Sequence, residues 1–312
     1  MSQRRVTITG ATGLLGTRLV RQLQREDWHV TVLTRDPQRA RERLGGEIEA
    51  CAWNATAEPA PVAALSGRDA LVNLAGEPVA QRWSERAKRA IHDSRVLGTG
   101  HLIDGLRALS AQQSREQLPA VLVSGSATGF YGPHGPEPLD EEAAPGHDFL
   151  ARTCVAWEDA ARRAETLGMR VVRLRVGVVL DGDGGALAKM LPPFRLGVGG
   201  PVAGGRQFVP WVHAQDVVGI ILAALTDERW SGAVNGSAPV PVTNAELSRA
   251  LGRALGRPAL LPVPALALRA LYGEMAEIVT TGARAVPARP LMLGYGYAYT
   301  DLQHALQAAL NG

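Results

Sequence analysis

The stretch Val6-Thr7-Ile8-Thr9-Gly10-Ala11-Thr12-Gly13-Leu14-Leu15-Gly16 decides the fold of this chain. Its first four residues are β-branched and predict a buried strand. Three glycines follow at the spacing G-x-x-G-x-x-G, and after them comes a helical pattern with Leu15, Leu19, Val20 and Leu23 on one face. A strand, a glycine turn and a helix start in this order predict the phosphate-binding end of a βα unit.

The three glycines have separate expected roles in this turn. Gly10 allows the tight turn, Gly13 lets the backbone approach a pyrophosphate, and Gly16 lets the helix pack close to the strand. The amides of the helix N-terminus would then face the phosphates. The alternative is a glycine-rich turn without a ligand. We expect six residues of this segment to contact a cofactor: Gly10, Thr12, Gly13, Leu14, Leu15 and Gly16.

The run T-G-A-T-G-L-L-G resembles the opening of the extended short-chain dehydrogenases/reductases, a superfamily of nucleotide-sugar epimerases and related NAD(P) enzymes. The resemblance implies an α/β fold, a doubly wound parallel sheet (Rossmann-like) with ligand at the carboxyl ends of the strands. From Pro262 the chain resembles a small C-terminal domain of unknown function. We predict an NAD(P)-binding domain over residues 1–235 and a small, mostly helical C-terminal lobe over 236–312, partly interleaved with the first.

The choice between NADP and NAD depends on the residues after the second predicted strand, which ends at Leu33. Arg35 stands about twenty residues beyond Gly16, where a dinucleotide fold meets the adenosine ribose. An arginine there suits a 2′-phosphate by bidentate contact, whereas a carboxylate would bind the 2′-hydroxyl. Asp36 is adjacent and could take the NAD role. We expect NADP to be preferred and NAD to be less favoured.

Other cofactor contacts follow from the resemblance to the superfamily. The strand end N-L-A-G matches the segment that runs beside the adenosine and ribose, and the run S-R-x-x-G-T matches a cofactor-facing helix. A later R-x-G-x-V-L segment matches the turn beside the nicotinamide. The residues that these matches place at the cofactor are Leu74, Ala75, Gly76, Arg95, Ser124 and Val179.

Two polar residues are expected to border the nicotinamide. After a predicted strand the chain reads Gly125-Ser126-Ala127-Thr128-Gly129-Phe130-Tyr131-Gly132, where the superfamily has a serine that bonds the reacting group and then a Y-G pair. Ser126 and Tyr131 are therefore the candidate catalytic residues. The alternative for Ser126 is a hydroxyl that caps a turn.

The superfamily's catalytic Tyr-x-x-x-Lys pair is missing. When Glu158 is matched to the usual glutamate, Leu150 and Cys154 stand where the tyrosine and lysine belong. Leucine has no proton to transfer, and a lone cysteine is more often a small apolar residue. With the run F-L-A-R-x-C-x-x-W-E, this absence resembles an atypical "epimerase family" branch of the superfamily.

The second half of the chain supports three local expectations. Residues 187–196 resemble a helix that Pro192 and Pro193 break. Asp216 is expected to cap a helix from Val217 to Thr226, and His213 is expected to be only packed. Thr243 or Asn244 is expected to cap the next helix, with Glu246 in its first turn.

Composition narrows the class of protein. The chain has 312 residues and a net charge of +3, and its charges are interspersed, so no nucleic-acid partner is expected. The two cysteines are far apart and indicate reduced thiols, with no disulfide and no metal site. Met1 leads directly into a predicted strand, so we expect no signal peptide. No apolar run approaches the length of about 18 residues that a membrane span needs. We expect a cytoplasmic protein with no membrane partner. The sequence does not decide between a monomer and a homodimer.

Two functions remain open at this point. One is an NADP-dependent oxidoreductase or epimerase that acts on an unidentified small substrate, which could be a nucleotide sugar. The other is a non-catalytic NADP-binding protein that senses redox state or a metabolite. The missing Tyr-Lys pair favours the sensor, and the pair Ser126 and Tyr131 favours the enzyme.

Overall fold

A seven-stranded parallel sheet forms the centre of the computed structural model, which describes residues 3–113 and 115–311. Its order is β11-β7-β5-β4-β1-β2-β3, and the chain changes direction across the sheet between β1 and β4. The described strands are β1 (Arg5–Thr9), β2 (His29–Thr34), β3 (Glu49–Ala52), β4 (Ala70–Asn73), β5 (Val121–Ala127), β6 (Pro138–Leu139), β7 (Arg170–Val176), β8 (Val178–Leu180), β9 (Phe208–Val209), β10 (Trp211–His213), β11 (Gly232–Gly236), β12 (Val242–Thr243) and β13 (Arg284–Ala285).

Helices cover both faces of the sheet. They are α1 (Leu14–Arg25), α2 (Pro37–Leu44), α3 (Glu85–Gln112), α4 (Phe149–Arg162), α5 (Gly185–Arg195), α6 (Ala214–Thr226), α7 (Asn244–Leu255), α8 (Ala265–Tyr272), α9 (Glu277–Thr280), α10 (Ala288–Met292) and α11 (Leu302–Asn311). One apolar cluster joins the sheet to α1 and α6, and a second joins its other face to α3 and α4. The predicted doubly wound, Rossmann-like fold with a helical C-terminal region is confirmed.

The C-terminal region packs against earlier parts of the chain through a shared apolar cluster. A third apolar cluster contains Leu187 and Trp211 together with Leu251 of α7 and Leu306 of α11. The residues after 236 therefore share a core with α5, which follows β8, and with β10. No helix of the described residues is both long enough and apolar enough to cross a membrane.

The structure corrects the predicted start of α6. The helix begins at Ala214, and its N-cap is His213, whose Nδ1 accepts a hydrogen bond from the amide of Gln215. The carboxylate of Asp216 instead accepts bonds from the amides of Ala298 and Tyr299, at 2.7 and 3.1 Å. Asp216 therefore attaches the C-terminal segment to α6 and does not cap it. Its partners lie about eighty residues later in the sequence, so local spacing could not identify them.

The structure also corrects the prediction that the proline pair breaks the helix over residues 187–196. Pro192 and Pro193 lie inside α5, which runs on to Arg195. Both stand in the last turn of the helix, where few later residues depend on the missing bonds. The amide of Leu196 still bonds the carbonyl of Pro192 at 3.2 Å. By contrast, the predicted cap of α7 is confirmed, because Thr243 forms a capping box with Glu246.

We predict that His213 makes stability depend on pH. Burial lowers the pKa of its imidazole from 6.5 to about 4, and the ring lies 3.8 Å from that of Tyr299. The unfolded chain binds this proton more readily, so stability falls as the pH drops from about 6.5 towards 4. Because the ring is partly exposed, solvent screening reduces the effect, and we expect the free energy of unfolding to fall by about 1–3 kcal/mol. Urea unfolding across this range measures it.

The variant His213→Asn is the control, since asparagine can cap the helix and does not titrate. Its unfolding free energy should start lower, because the contact with Tyr299 is lost, and should fall less steeply with acid. Parallel curves for the two proteins would show that His213 contributes nothing to the pH dependence.

Candidate cofactor site and the polar network beside it

The turn between β1 and α1 depends on close backbone contacts. Gly10 has a φ of +70°, and a Cβ at this position would lie 2.6 Å from the carbonyl carbon of Leu74. A Cβ at Gly16 would overlap the carbonyl of Gly10 and lie 2.6 Å from the Cα of Ala11. Only glycine fits at either position, since both neighbours are backbone atoms. The turn therefore has the compact geometry that the sequence predicted.

The start of α1 is open to a ligand. Gly13 is exposed at the N-cap, and no side chain caps the helix. A Cβ there would lie 3.2 Å from the carbonyl oxygen of Gly10. The amides of the first turn, at Leu14 and Leu15, are thus left for an external acceptor. An uncapped helix start behind a glycine turn fits the pyrophosphate of a dinucleotide.

An exposed arginine and a helix-capping aspartate follow β2. The guanidinium of Arg35 is exposed directly after the strand. The carboxylate of Asp36 caps α2 by accepting a bond from the amide of Arg39 at 3.0 Å. A ribose hydroxyl would have to compete with this cap, whereas Arg35 is free to turn towards a phosphate.

The end of β4 meets Arg95 on α3. A Cβ at Gly76 would lie 3.0 Å from the guanidinium carbon of Arg95, so the arginine covers this segment. Arg95 donates to the carbonyls of Glu77 and Ile91 and lies over the ring of Trp157. Burial lowers its pKa. The structure therefore brings Arg95 and the segment 74–76 together beside the glycine turn.

A chain of buried hydroxyl and amide groups supports the floor of this cleft. Thr9 donates to Asn73 at 2.6 Å, and the Asn73 amide donates to Thr99 at 2.9 Å and approaches the hydroxyl of Ser124 at 3.4 Å. All four are buried. Ser124, which the sequence predicted to contact the cofactor, belongs to this hydrogen-bonded chain. Sequence reasoning missed the other three, although small polar residues at strand ends could have indicated them.

The loop after β8 closes over the helix start. A Cβ at Gly184 would lie 3.2 Å from Cδ1 of Leu14. Arg18 of α1 forms a bidentate contact with the buried carboxylate of Asp181. Val179, another predicted contact, pairs with Val212 just before this loop. The loop and the glycine turn are therefore held against each other.

Ser126 belongs to a buried ionic network. Its hydroxyl donates to Oε1 of Glu158 at 2.8 Å. Arg175 contacts both oxygens of the same carboxylate, at 2.8 and 3.0 Å, and Arg173 donates to Oε2 at 3.3 Å. Glu158 and Arg175 are 1% and 3% exposed. Arg175 begins the R-x-G-x-V-L segment, but the sequence did not indicate that either arginine pairs with Glu158.

Tyr131, the other candidate catalytic residue, lies in the same buried network. It is 0% exposed, and its hydroxyl is 2.7 Å from Oδ1 of Asn235 and 2.9 Å from the carbonyl of Asp140. Arg175 donates to the same hydroxyl at 3.0 Å. Burial raises the pKa of Tyr131 to about 12. With every hydroxyl partner supplied by the protein, this geometry suits a structural role better than contact with a substrate.

The two positions that usually hold the catalytic pair offer little acid/base chemistry. Leu150 packs against the turn at Gly129, where a Cβ would lie 3.6 Å from its own. Cys154 is buried, and burial together with the nearby charge of Glu158 raises the pKa of its thiol to about 12. The thiol is therefore neutral at physiological pH.

The fold and this cleft define a dinucleotide-binding protein of the Rossmann type. A family model described as "NAD dependent epimerase/dehydratase family" matches residues 6–235, and a model described as "Domain of unknown function (DUF1731)" matches 263–309. The chain therefore belongs to the NAD-dependent epimerase/dehydratase family.

Relatives in other organisms match almost the whole chain. It is 39% identical to the chloroplastic "Epimerase family protein SDR39U1 homolog" of Arabidopsis thaliana, over 99% of this chain and 87% of the relative. It is 38% identical to epimerase family protein SDR39U1 of Mus musculus, over 97% and 98%.

Solved structures show the same architecture. The human epimerase family protein SDR39U1, crystallised with NADPH, superposes with a TM-score of 0.85 at 33% identity, over 98% of this chain and 99% of that one. A nucleoside-diphosphate sugar epimerase from Corynebacterium glutamicum gives 0.77 at 33% identity, over 99% of this chain and 58% of that one. A UDP-galactose 4-epimerase at 18% identity shares the fold, with a TM-score of 0.73.

We predict that Glu158 stabilises the fold strongly. Glu158→Gln removes the charge that Arg175 contacts and leaves a buried guanidinium without its anion, which costs about 3–5 kcal/mol. Chemical denaturation measures the change. Glu142→Gln is the matched control, since its 82%-exposed side chain pairs with Arg289 at the surface and should change stability little. Equal effects of the two changes would contradict this role.

Proposed function

We propose that this chain binds NADP(H) in the cleft between the glycine turn and the end of β4. The observation that carries the proposal is the exposed Arg35 beside the uncapped start of α1, with Asp36 already engaged as the cap of α2. Arg35 would bind the 2′-phosphate, and the first-turn amides would bind the pyrophosphate. The NADPH in the human relative's crystals supports the same choice.

The cofactor-facing residues follow from this placement. The set comprises Gly10, Thr12, Gly13, Leu14, Leu15, Gly16, Arg35, Leu74, Ala75, Gly76, Arg95 and Val179, with Ser124 supporting the floor of the cleft. The residues before 236 would form the cofactor-binding part, and those after it the substrate side.

We further propose an oxidoreductase or epimerase reaction on a small substrate. The bound nicotinamide would supply or accept a hydride. Ser126, at the end of β5, is the polar group proposed to meet the reacting oxygen. Its proton is directed to Glu158, so it presents lone pairs and would accept a bond from a substrate hydroxyl. Tyr131 would hold Arg175 and Asn235 in place beneath it.

A second candidate function is a non-catalytic NADP(H) sensor. The neutral thiol of Cys154 and the apolar Leu150 favour it, because neither can assist proton transfer at the usual position. In this function the cofactor would stabilise the protein, and the loop after β8, which packs over α1, would transmit the effect of cofactor binding.

We predict that NADPH binds more tightly than NADH and that Arg35→Asp reverses the preference. A charge-assisted bond to the 2′-phosphate is worth about 1.5–3 kcal/mol, so the affinity ratio should change at least tenfold. Calorimetric titration with both cofactors measures it. Arg21→Asp makes the same charge change at an exposed position later in α1 and should leave the ratio unaltered. Equal affinities of the parent protein for NADPH and NADH would refute the assignment of Arg35.

Turnover separates the two candidate functions. We expect Ser126→Ala to lower NADPH-dependent conversion of nucleotide-sugar or simple carbonyl substrates by about 10²–10⁴-fold while NADPH binding persists. Cys154→Ala should retain activity, and its loss instead would indicate thiol chemistry. A parent protein that binds NADPH and turns over none of these substrates supports the sensor.

A further inference from the structure

A groove of about 500 Å³ lies between the first turns of α3 and α4. The groove is open to solvent on one side. Its lining comes from the two helices alone: Glu85, Lys88, Arg89, His92, Phe149, Arg152 and Thr153. None of these residues belongs to the cofactor cleft described above.

The spacing of the lining residues shows how the groove is formed. On α3 they stand at intervals of three and four residues, from Glu85 to His92, and therefore share one helix face. On α4, Phe149 is followed by Arg152 and Thr153 at the same intervals. Leu150 and Cys154 each stand one residue further along α4, about a quarter turn away from this face. Leu150 packs at Gly129 instead.

The groove carries an excess of positive charge. Three cationic side chains, Lys88, Arg89 and Arg152, line it together with one carboxylate, that of Glu85. Lys88 is paired with Glu274 from outside the lining and lies 3.7 Å from the Glu85 carboxylate, and Arg152 donates to the carbonyl of His147. Arg89 is exposed, and among the described residues no hydrogen bond or ion pair engages it. Both helices begin here, so their N-terminal dipoles add to the positive potential.

An aromatic ring forms the apolar part of the lining. Phe149 packs edge-on against Trp83, with ring centroids 5.1 Å apart and an interplanar angle of 71°. The Nζ of Lys88 lies 5.8 Å from the centre of the Phe149 ring. The ring is half-buried and held in place from one side. It therefore gives the groove an apolar surface beside Lys88.

We propose that this groove is a binding site for an organic anion, an aromatic ring that carries a carboxylate or phosphate group. The ring packs on Phe149, and the anionic group pairs with Arg89 and Arg152. Apolar contact and charge pairing act together, so neither a neutral ring nor a bare anion satisfies the site.

Calorimetric titration with 2-naphthoate tests the proposal on the full chain saturated with NADPH, so that the cofactor cleft is filled. We expect 2-naphthoate to bind at least about tenfold more tightly than 2-naphthamide, which lacks the charge, and than inorganic phosphate, which lacks the ring. Added salt should weaken the naphthoate complex.

Variants assign the binding to the groove. Arg152→Gln and Phe149→Leu should each lower the naphthoate affinity, by about tenfold and about threefold. Arg162→Gln, at the other end of α4, should leave it unchanged. NADPH affinity, measured in parallel, should be the same in all three and shows that each variant is folded.

Three outcomes would overturn the proposal. The first is the absence of naphthoate binding, and the second is binding that survives both groove variants. The third is a dimer in sedimentation that Phe149→Leu or Arg152→Gln dissociates, which would make the groove an interface between two copies of this chain.

Discussion

The close approach of backbone to backbone at the first turn is the constraint on which the rest of the structure depends. Gly10 lies against the carbonyl of Leu74 after β4, and Gly16 lies against the carbonyl of Gly10. These contacts place α1 and β4 on either side of the point where the strand order reverses. The crevice at this point has its shape because Gly10 and Gly16 carry no side chains where the backbone segments meet.

The polar network beside the crevice is held together differently, by one carboxylate. Glu158 joins α4 to β5 through Ser126 and to β7 through Arg175. Arg175 reaches on to Tyr131, whose hydroxyl meets Asn235 of β11. Removing water from these charges is costly, and the cost is offset only because nearly every polar atom has a partner. The result is a rigid wall with little freedom to donate protons.

Local sequence predicted those parts of the fold whose contacts are local. The strand, glycine turn and helix start are encoded within eleven residues, and the capping box of Thr243 and Glu246 within four. The predicted NADP preference and the individual site residues stay predictions, since they concern a ligand. The family assignment came from short motifs in their order along the chain.

Two residues that the sequence analysis singled out have hydrogen-bond partners far away along the chain. Asp216 has the usual spacing of a helix cap, yet its partners are the amides of Ala298 and Tyr299. Tyr131 has the position of a reactive phenol, yet Asn235 and Arg175 enclose its hydroxyl. A sequence pattern identifies a residue, but it does not identify the distant group that forms a hydrogen bond with that residue's polar atom.

Those long-range contacts also connect the cofactor turn to the end of the chain. Leu14 and Arg18 of α1 contact the loop after β8, through Gly184 and Asp181. Gly182 of this loop lies against the backbone of Ala309 in α11, where a Cβ would overlap its carbonyl. The start of α1 and the end of α11 are therefore joined by one continuous set of contacts through the loop after β8. Because a ligand stabilises the contacts of the state that it binds, we expect a ligand at the start of α1 to stabilise this set as a whole.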